Sequence, residues 1–150
     1  MSLATLRDRL GAGITWTEPV EENRRLDELA ALAAEQAEAA GWRAERRPEL
    51  GPYRPSLLLE DGDRGYIVHF LYGKKGTSVH FGTVAWLTSV VAMAKSVRGQ
   101  DYIPVIVSPG PAKGALARYA YDTGIFVICA DTSKPERAAV EVSWALGYNG

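Results

Sequence analysis

The chain has 150 residues, of which 47% are hydrophobic, and its 17 Lys and Arg residues against 18 Asp and Glu residues give a formal net charge of −1. This composition is typical of one globular domain, so we interpret residues 1–150 as a single domain. Because basic residues are not in excess, general electrostatic binding of nucleic acid is disfavoured. No apolar run approaches the roughly 18 residues that span a bilayer, and the first residues lack a signal-peptide pattern, so we expect a cytoplasmic protein without membrane contact.

The first part of the chain predicts one helix followed by three strands. A helix over about residues 21–40 is indicated by one apolar stripe, and Gly41 ends it. The stripe consists of Leu26, Leu29, Ala30, Ala33, Ala37 and Ala40. The segment WRAERRPE then has partial strand character. Ser56–Asp61 and Gly65–Tyr72 flank a Gly62-Asp63 turn, which predicts a β-hairpin.

The stretch Gly82–Val97 predicts a helix that is apolar around almost its whole circumference. Such a helix must be covered on more than one side. The sheet can bury one side, so the second side requires neighbouring helices or another subunit. We therefore predict a homo-oligomer or a heteromeric protein partner at this helix. The residues predicted to form the contact are Val84, Trp86, Leu87, Val90, Val91 and Met93.

The second half of the chain predicts a strand–helix–strand unit and a final helix. A strand begins near Pro104, and Pro109-Gly110-Pro111 leads into a helix over Ala112–Asp122. The next strand, IFVICA, contains the chain's single cysteine, Cys129, which we expect to be buried in the core. The two strands should be parallel with a right-handed crossover. A helix over about residues 134–146 follows, with Pro135 at its start, Ser133 as a capping candidate and Gly147 at its end.

The predicted order is α-β-β-β-α-β-α-β-α, a single three-layer α/β domain with a central mixed β-sheet of about five strands flanked by helices. Together with the segments RPSLLLEDGDRGYIVHFLYGKKGTSV and IPVIVSPGPAKGALARYAYDTGIFVICA, this order resembles the restriction-endonuclease-like (PD-(D/E)XK) superfamily, and within it the Mrr-type domains. The resemblance covers a core of about residues 22–130.

The resemblance implies a site in which an acid near the start of the second strand and a Glu-x-Lys on the third strand bind a divalent metal. The matching positions here are Ser56, His69 and Leu71, and all three depart from the pattern. The two-residue turn places Ser56 opposite His69, with Leu71 on the same face. A hydroxyl, an imidazole and an isobutyl group do not supply the oxygen ligands that magnesium requires. We therefore predict neither a bound metal nor a cofactor.

Other residues offer little replacement for the missing acids. Asp61 and Asp63 lie at the turn, about 20 Å from His69 along the strand. Glu35 and Glu38 on the first helix are the acids expected to come nearest, but a lone carboxylate binds magnesium poorly. His69 and His80 lack the further ligands of a zinc site. A Ser56–His69 pair alone lacks the orienting acid and oxyanion hole of nucleophilic catalysis.

Three lysines are candidate anion contacts, with solvated surface charges as the alternative. Lys74 and Lys75 follow the third strand, and Lys113 lies at a predicted helix start.

Our preferred hypothesis is a catalytically inactive restriction-endonuclease-like domain that acts as a structural or regulatory protein-interaction subunit. One alternative is a divergent metal-dependent DNA nuclease whose acids have moved or come from a partner chain. Another is a non-catalytic nucleic-acid-binding domain, whose contacts would be Arg43, Arg46, Arg47, Lys74 and Lys75.

The Mrr-type resemblance further implies a bacterial defence or mobile-element setting.

Overall fold

The computed structural model describes residues 17–62, 64–73 and 79–148. The elements confirm the predicted order α-β-β-β-α-β-α-β-α. They are α1 Thr17–Ala39, β1 Arg43–Arg46, β2 Leu57–Asp61, β3 Arg64–Phe70, α2 Phe81–Arg98, β4 Ile103–Ser108, α3 Gly114–Asp122, β5 Phe126–Cys129 and α4 Pro135–Leu146. Three residues named above, Asp63, Lys74 and Lys75, lie outside the described residues.

The five strands form one mixed sheet in the order β1-β2-β3-β4-β5. The first three strands are antiparallel and the last three are parallel. Leu57 pairs with Val68 and Asp61 with Arg64, which is the register that a two-residue turn after Asp61 predicts. The same register places Ser56, the residue just before β2, opposite His69 of β3, so these two residues meet at the far end of the hairpin.

Helices cover both faces of the sheet and bury two apolar clusters. On one face, α1 and α4 pack against the sheet, where Leu29 and Val142 meet Leu59 and Val68. On the other face, α2 and α3 pack against a second set of sheet residues that includes Ile106. Full burial of each such side chain contributes about 1.5–3 kcal/mol. The result is the predicted three-layer α/β arrangement.

Part of the second side of α2 is covered by the chain itself, through the β1–β2 connection (residues 47–56). Leu50 of this connection is fully buried. Tyr53 packs edge-to-face on Trp86, with ring centroids 6.1 Å apart. A Cβ atom on Gly51 would lie 2.8 Å from Sδ of Met93, so the connection touches the helix closely there. The chain itself therefore supplies part of the cover that the sequence analysis assigned to neighbouring helices or another subunit, and a homo-oligomer or protein partner at this helix stays a prediction.

The predicted contact residues on α2 are accordingly used inside the chain. Val84, Leu87 and Val90 are fully buried against the sheet. Trp86 and Val91 are half-buried and pack against the same cluster. None of these five side chains is a freely exposed apolar group.

Two details of the second half differ from expectation. Cys129 is exposed rather than buried, because β5 is an edge strand that the helices cover only partly. The N-cap of α4 is Lys134 instead of Ser133, while Gly147 ends the helix in a left-handed conformation as predicted. Within the described ranges, no helix combines the length and the apolar character needed to cross a membrane.

Candidate anion-binding cleft

A cleft of about 710 Å³ lies at the end of the sheet where β1 and β3 finish and β2 begins. Three parts of the chain form its walls: the first half of α1, the β1–β2 connection with the end of β1, and the last two residues of β3. Its lining residues are Asn23, Leu26, Asp27, Ala30, Arg46, Arg47, Arg54, Ser56, His69 and Phe70.

Ser56 and His69 meet in this cleft as the hairpin register predicts. Ser56 Oγ lies 3.2 Å from His69 Nδ1, and the Phe70 N–H donates to the same hydroxyl oxygen at 3.2 Å. The His69 ring also packs on Trp86 with ring centroids 4.6 Å apart. Burial lowers the pKa of His69 to about 4, so its imidazole is neutral at neutral pH. The pair is therefore uncharged and hydrogen-bonded within the chain.

Leu71, at the third position of the family's pattern, does not line the cleft. Its side chain is half-buried and packs against the apolar cluster beneath α2. Its backbone is held on both sides, because its N–H donates to the Val107 carbonyl at 2.8 Å and its carbonyl accepts from the Thr132 hydroxyl at 2.7 Å. A leucine in this place stabilises the core and offers no charge to the site.

The residues of the cleft do not fit the divalent metal that a restriction-endonuclease-like site implies. Asp27 is the one carboxylate among the described lining residues, and Arg47 Nη2 donates to its Oδ1 at 2.7 Å. The Ser56 hydroxyl already accepts one hydrogen bond and faces His69. No group of three or more His, Cys, Asp or Glu side chains converges anywhere in the described part of the chain. Among the described lining residues, a hard cation would find one carboxylate, and that carboxylate is already paired with a guanidinium.

The acid in the cleft is not one of the two that were expected there. Glu35 and Glu38 lie on the exposed side of α1, outside the cleft. Asn23 and Asp27 line it instead, and the sequence carries a signal for them. They are spaced with Leu26 and Ala30 at i, i+3, i+4 and i+7, so they are polar residues within the helix's inward-facing stripe.

Basic side chains dominate the electrostatics of the cleft. Arg46, Arg47 and Arg54 line it, whereas Asp27 is the opposing charge among the described lining residues. With His69 neutral, two formal positive charges remain, in a chain whose formal net charge is −1. The described lining of the cleft is therefore net positive, in contrast to the chain as a whole.

Arg47 has an unusual backbone that follows from its place at the end of β1. Its φ of 48° lies in the left-handed region, which is uncommon for a residue other than glycine. Its N–H still donates to the Ser56 carbonyl at 3.1 Å, which extends the β1–β2 ladder by one residue. The chain then turns away into the connection, so the position of Arg47 is set by the sheet.

Two other sequence-predicted cations, both among the described residues, lie outside the cleft. Arg43 lies at the start of β1, and its Nη1 atom is 3.9 Å from Oε2 of Glu60. Lys113 is the exposed N-cap of α3 and does not line the cleft. Of the described residues predicted to contact nucleic acid, Arg46 and Arg47 line the cleft; Arg54 was missed because it lies in an irregular segment.

No protein-family model and no curated protein sequence matches the chain. Among solved structures, the chain is similar to the protein of unknown function AF1548, with a TM-score of 0.57, 13% identity and coverage of 68% of this chain and 56% of that one. This likeness shows a shared fold. The protein in the EndoMS–dsDNA2 complex matches 57% of the chain, at 22% identity and a TM-score of 0.43, with 35% of its own length covered.

A repair endonuclease from Pyrococcus abyssi also matches 57% of the chain, at 17% identity and a TM-score of 0.44, with 37% of its own length covered. The chain thus spans about half the length of AF1548 and little more than a third of the other two proteins.

Proposed function

We propose that the chain is a catalytically silent relative of the restriction-endonuclease-like fold, close to the Mrr-type domains, whose cleft binds phosphate groups of a nucleic-acid backbone. The observation that carries this proposal is the convergence of Arg46, Arg47 and Arg54 on one cleft whose other polar groups are neutral or already paired. The element order and the hairpin that resemble the superfamily support the family part of the proposal.

Arginine is well suited to this role. Its planar guanidinium donates two parallel hydrogen bonds to a phosphate and keeps its charge at any physiological pH. The Arg54 side chain is exposed, and its Nη2 atom lies 3.5 Å from Oε1 of Glu49. Such a surface ion pair is weak, so a phosphate can replace Glu49 as the partner of Arg54 at a small cost in free energy. Because the chain as a whole is not basic, we expect binding to depend on the cleft and not on a general positive surface.

The proposed lack of catalysis rests on the residues at the positions where the superfamily resemblance implies metal ligands. Ser56 and His69 are within hydrogen-bond distance of each other, and the half-buried Leu71 side chain packs against the apolar cluster beneath α2. Asp27 is paired with Arg47. A phosphodiester in the cleft would meet donors that position it, but no ligand set for the metal that activates water in the family.

The binding test uses fluorescence anisotropy with labelled single-stranded and duplex DNA at several salt concentrations. The two net positive charges of the cleft predict that log K falls with log[salt] with a slope of about −1.4 for a single strand and about −1.8 for a duplex. Arg46→Gln and Arg54→Gln should each weaken binding and reduce the slope by about 0.7–0.9. Arg118→Gln is the matched control, because Arg118 is an exposed arginine on α3 outside the cleft. Absence of binding, or an equal loss in the control, would contradict the proposal.

The catalytic test incubates the same DNA with the chain in magnesium or manganese. We expect no cleavage beyond that of a mock preparation. Cleavage that His69→Ala abolishes would overturn the silent part and favour the alternative of a divergent nuclease. Cleavage that persists in His69→Ala and co-purifies with the chain would overturn it as well.

A second candidate function is the protein-interaction subunit predicted from the sequence. The observation that favours it is the aromatic side chain of Phe81, which is 60% exposed at the start of α2 and packs on Tyr119 with ring centroids 5.0 Å apart. Light scattering after size-exclusion chromatography should then show an oligomer that Phe81→Ser dissociates. A monomer at all concentrations would contradict self-association at this surface.

A further inference from the structure

Asp27 joins two walls of the cleft. It lies on α1, and its Oδ1 accepts a hydrogen bond from Nη2 of Arg47, the first residue of the β1–β2 connection, at 2.7 Å. Both side chains line the cleft and are partly exposed, at 45% for Asp27 and 65% for Arg47. A ligand that enters the cleft therefore meets this ion pair in open contact with solvent.

The pair differs from the other ion pair of a cleft arginine. Arg54 is near Glu49, which does not line the cleft, so its partner stays outside when a ligand arrives. Asp27 stays inside. A phosphate that binds Arg47 competes with Asp27 for the guanidinium and remains beside the carboxylate, which repels it.

We infer that Asp27 determines which anions the cleft accepts. This inference rests on the proposed phosphate-binding function. Asp27 occupies Arg47 in the free chain, and a ligand displaces it when further phosphates bind Arg46 and Arg54 at the same time. A strand of nucleic acid meets this condition, whereas inorganic phosphate or a nucleoside monophosphate does not. The cleft therefore binds a sugar-phosphate backbone, which carries several phosphates, in preference to a single phosphate.

Electrostatics sets the size of the effect. An exposed ion pair changes an equilibrium by a factor of up to about five. Removing the carboxylate also removes its repulsion of the bound phosphate, which salt screens only in part at this separation. We therefore expect Asp27→Asn to tighten the binding of a short oligothymidylate by about three- to tenfold at low salt.

The salt dependence gives a second and independent readout. In the wild-type chain, the Asp27 carboxylate offsets the charge of Arg47, so Arg47 neutralises no additional phosphate and releases no additional cation from the strand. In Asp27→Asn, Arg47 neutralises one more phosphate, and one more of the cations condensed on the strand is released. The slope of log K against log[salt] should become steeper by about 0.7 for a single strand. A purely structural effect of the substitution would leave this slope unchanged.

The experiment measures the anisotropy of a fluorescein-labelled oligothymidylate, with inorganic phosphate and thymidine monophosphate as competitors. Wild-type chain should bind the oligonucleotide and ignore both competitors, whereas Asp27→Asn should bind it more tightly and be displaced by both. Glu21→Gln is the matched control, since Glu21 forms an exposed ion pair with Arg24 on the same helix outside the cleft. The double variant Asp27→Asn/Arg47→Gln should lose the gain. Asp27→Ser, a shorter neutral side chain, should reproduce the effect of Asp27→Asn.

The outcomes separate this inference from the proposed function. If the wild-type chain binds the oligonucleotide and both Asp27 variants bind it equally tightly with an unchanged slope, the inference is wrong and the proposed function stands. If neither the wild-type chain nor any variant binds it, both are wrong. A gain that persists in the double variant would show that Asp27 does not act through Arg47, which also contradicts the inference.

Discussion

Acid should destabilise the chain through His69. Its imidazole is packed on Trp86 and faces the Ser56 hydroxyl, and burial lowers its pKa from 6.5 to about 4. The folded chain therefore favours the neutral ring, whereas the unfolded chain binds a proton below about pH 6.5. The stability contributed by the neutral ring is fully present above pH 6.5 and is lost as the pH falls towards 4.

The size of the loss follows from the two pKa values. The full shift corresponds to a free-energy difference of about 3 kcal/mol. At pH 5, the unfolded histidine is almost fully protonated and the folded one is still mostly neutral, so about 2 kcal/mol of the free energy of unfolding is already lost. This is a large part of the stability of a domain of this size.

Urea unfolding at pH 7.5 and pH 5 measures this loss in the wild-type chain, His69→Gln and His80→Gln. His80 is exposed, which makes it the matched control. Carboxylates that titrate in this range affect all three chains equally, so they cancel in the comparison. The wild-type chain and His80→Gln should each lose about 2 kcal/mol more than His69→Gln. Equal losses in all three chains would refute the assignment of His69 as a buried neutral base.

Three further predictions concern the fold. Gly65→Ala should lower the free energy of unfolding by about 1–3 kcal/mol, because a Cβ atom there would lie 2.5 Å from the Tyr102 ring. Gly82→Ala is the control and should not lower it, because a Cβ atom at Gly82 has no other atom within 4 Å. Urea unfolding of the two variants measures the difference. Thr132→Val should cost about 1–3 kcal/mol in the same assay, because it leaves the carbonyl group just after β3 without its donor; a neutral effect would contradict that hydrogen bond. Cys129 should react with a thiol reagent in the native chain, and a reaction that requires denaturant would show that β5 is covered.

The hairpin could be predicted in detail because its information is local. Alternating apolar residues and a Gly-Asp turn determine both the register and the residues at its far end. The meeting of Ser56 and His69 follows directly from that register, and the structure confirms it at 3.2 Å. The sequence therefore predicted which side chains meet at the far end of the hairpin.

Features that depend on strand order or on irregular segments could not be predicted in this way. The run around Cys129 is apolar, but composition does not tell an edge strand from a central one. The β1–β2 connection has no helical or alternating pattern, so neither its packing on α2 nor the position of Arg54 was visible. The apolar residues of the α1 stripe do not by themselves reveal that Asp27, a polar member of the same stripe, faces the cleft.

The β1–β2 connection gives the cleft a link to the interior of the chain. The same short segment carries Arg47 and Arg54 on one side and places Leu50 and Tyr53 over α2 on the other. A ligand that immobilises the arginines also holds this cover against the helix. Amide hydrogens of α2 should therefore exchange more slowly with deuterated solvent when the cleft is filled, although the helix itself does not touch the ligand.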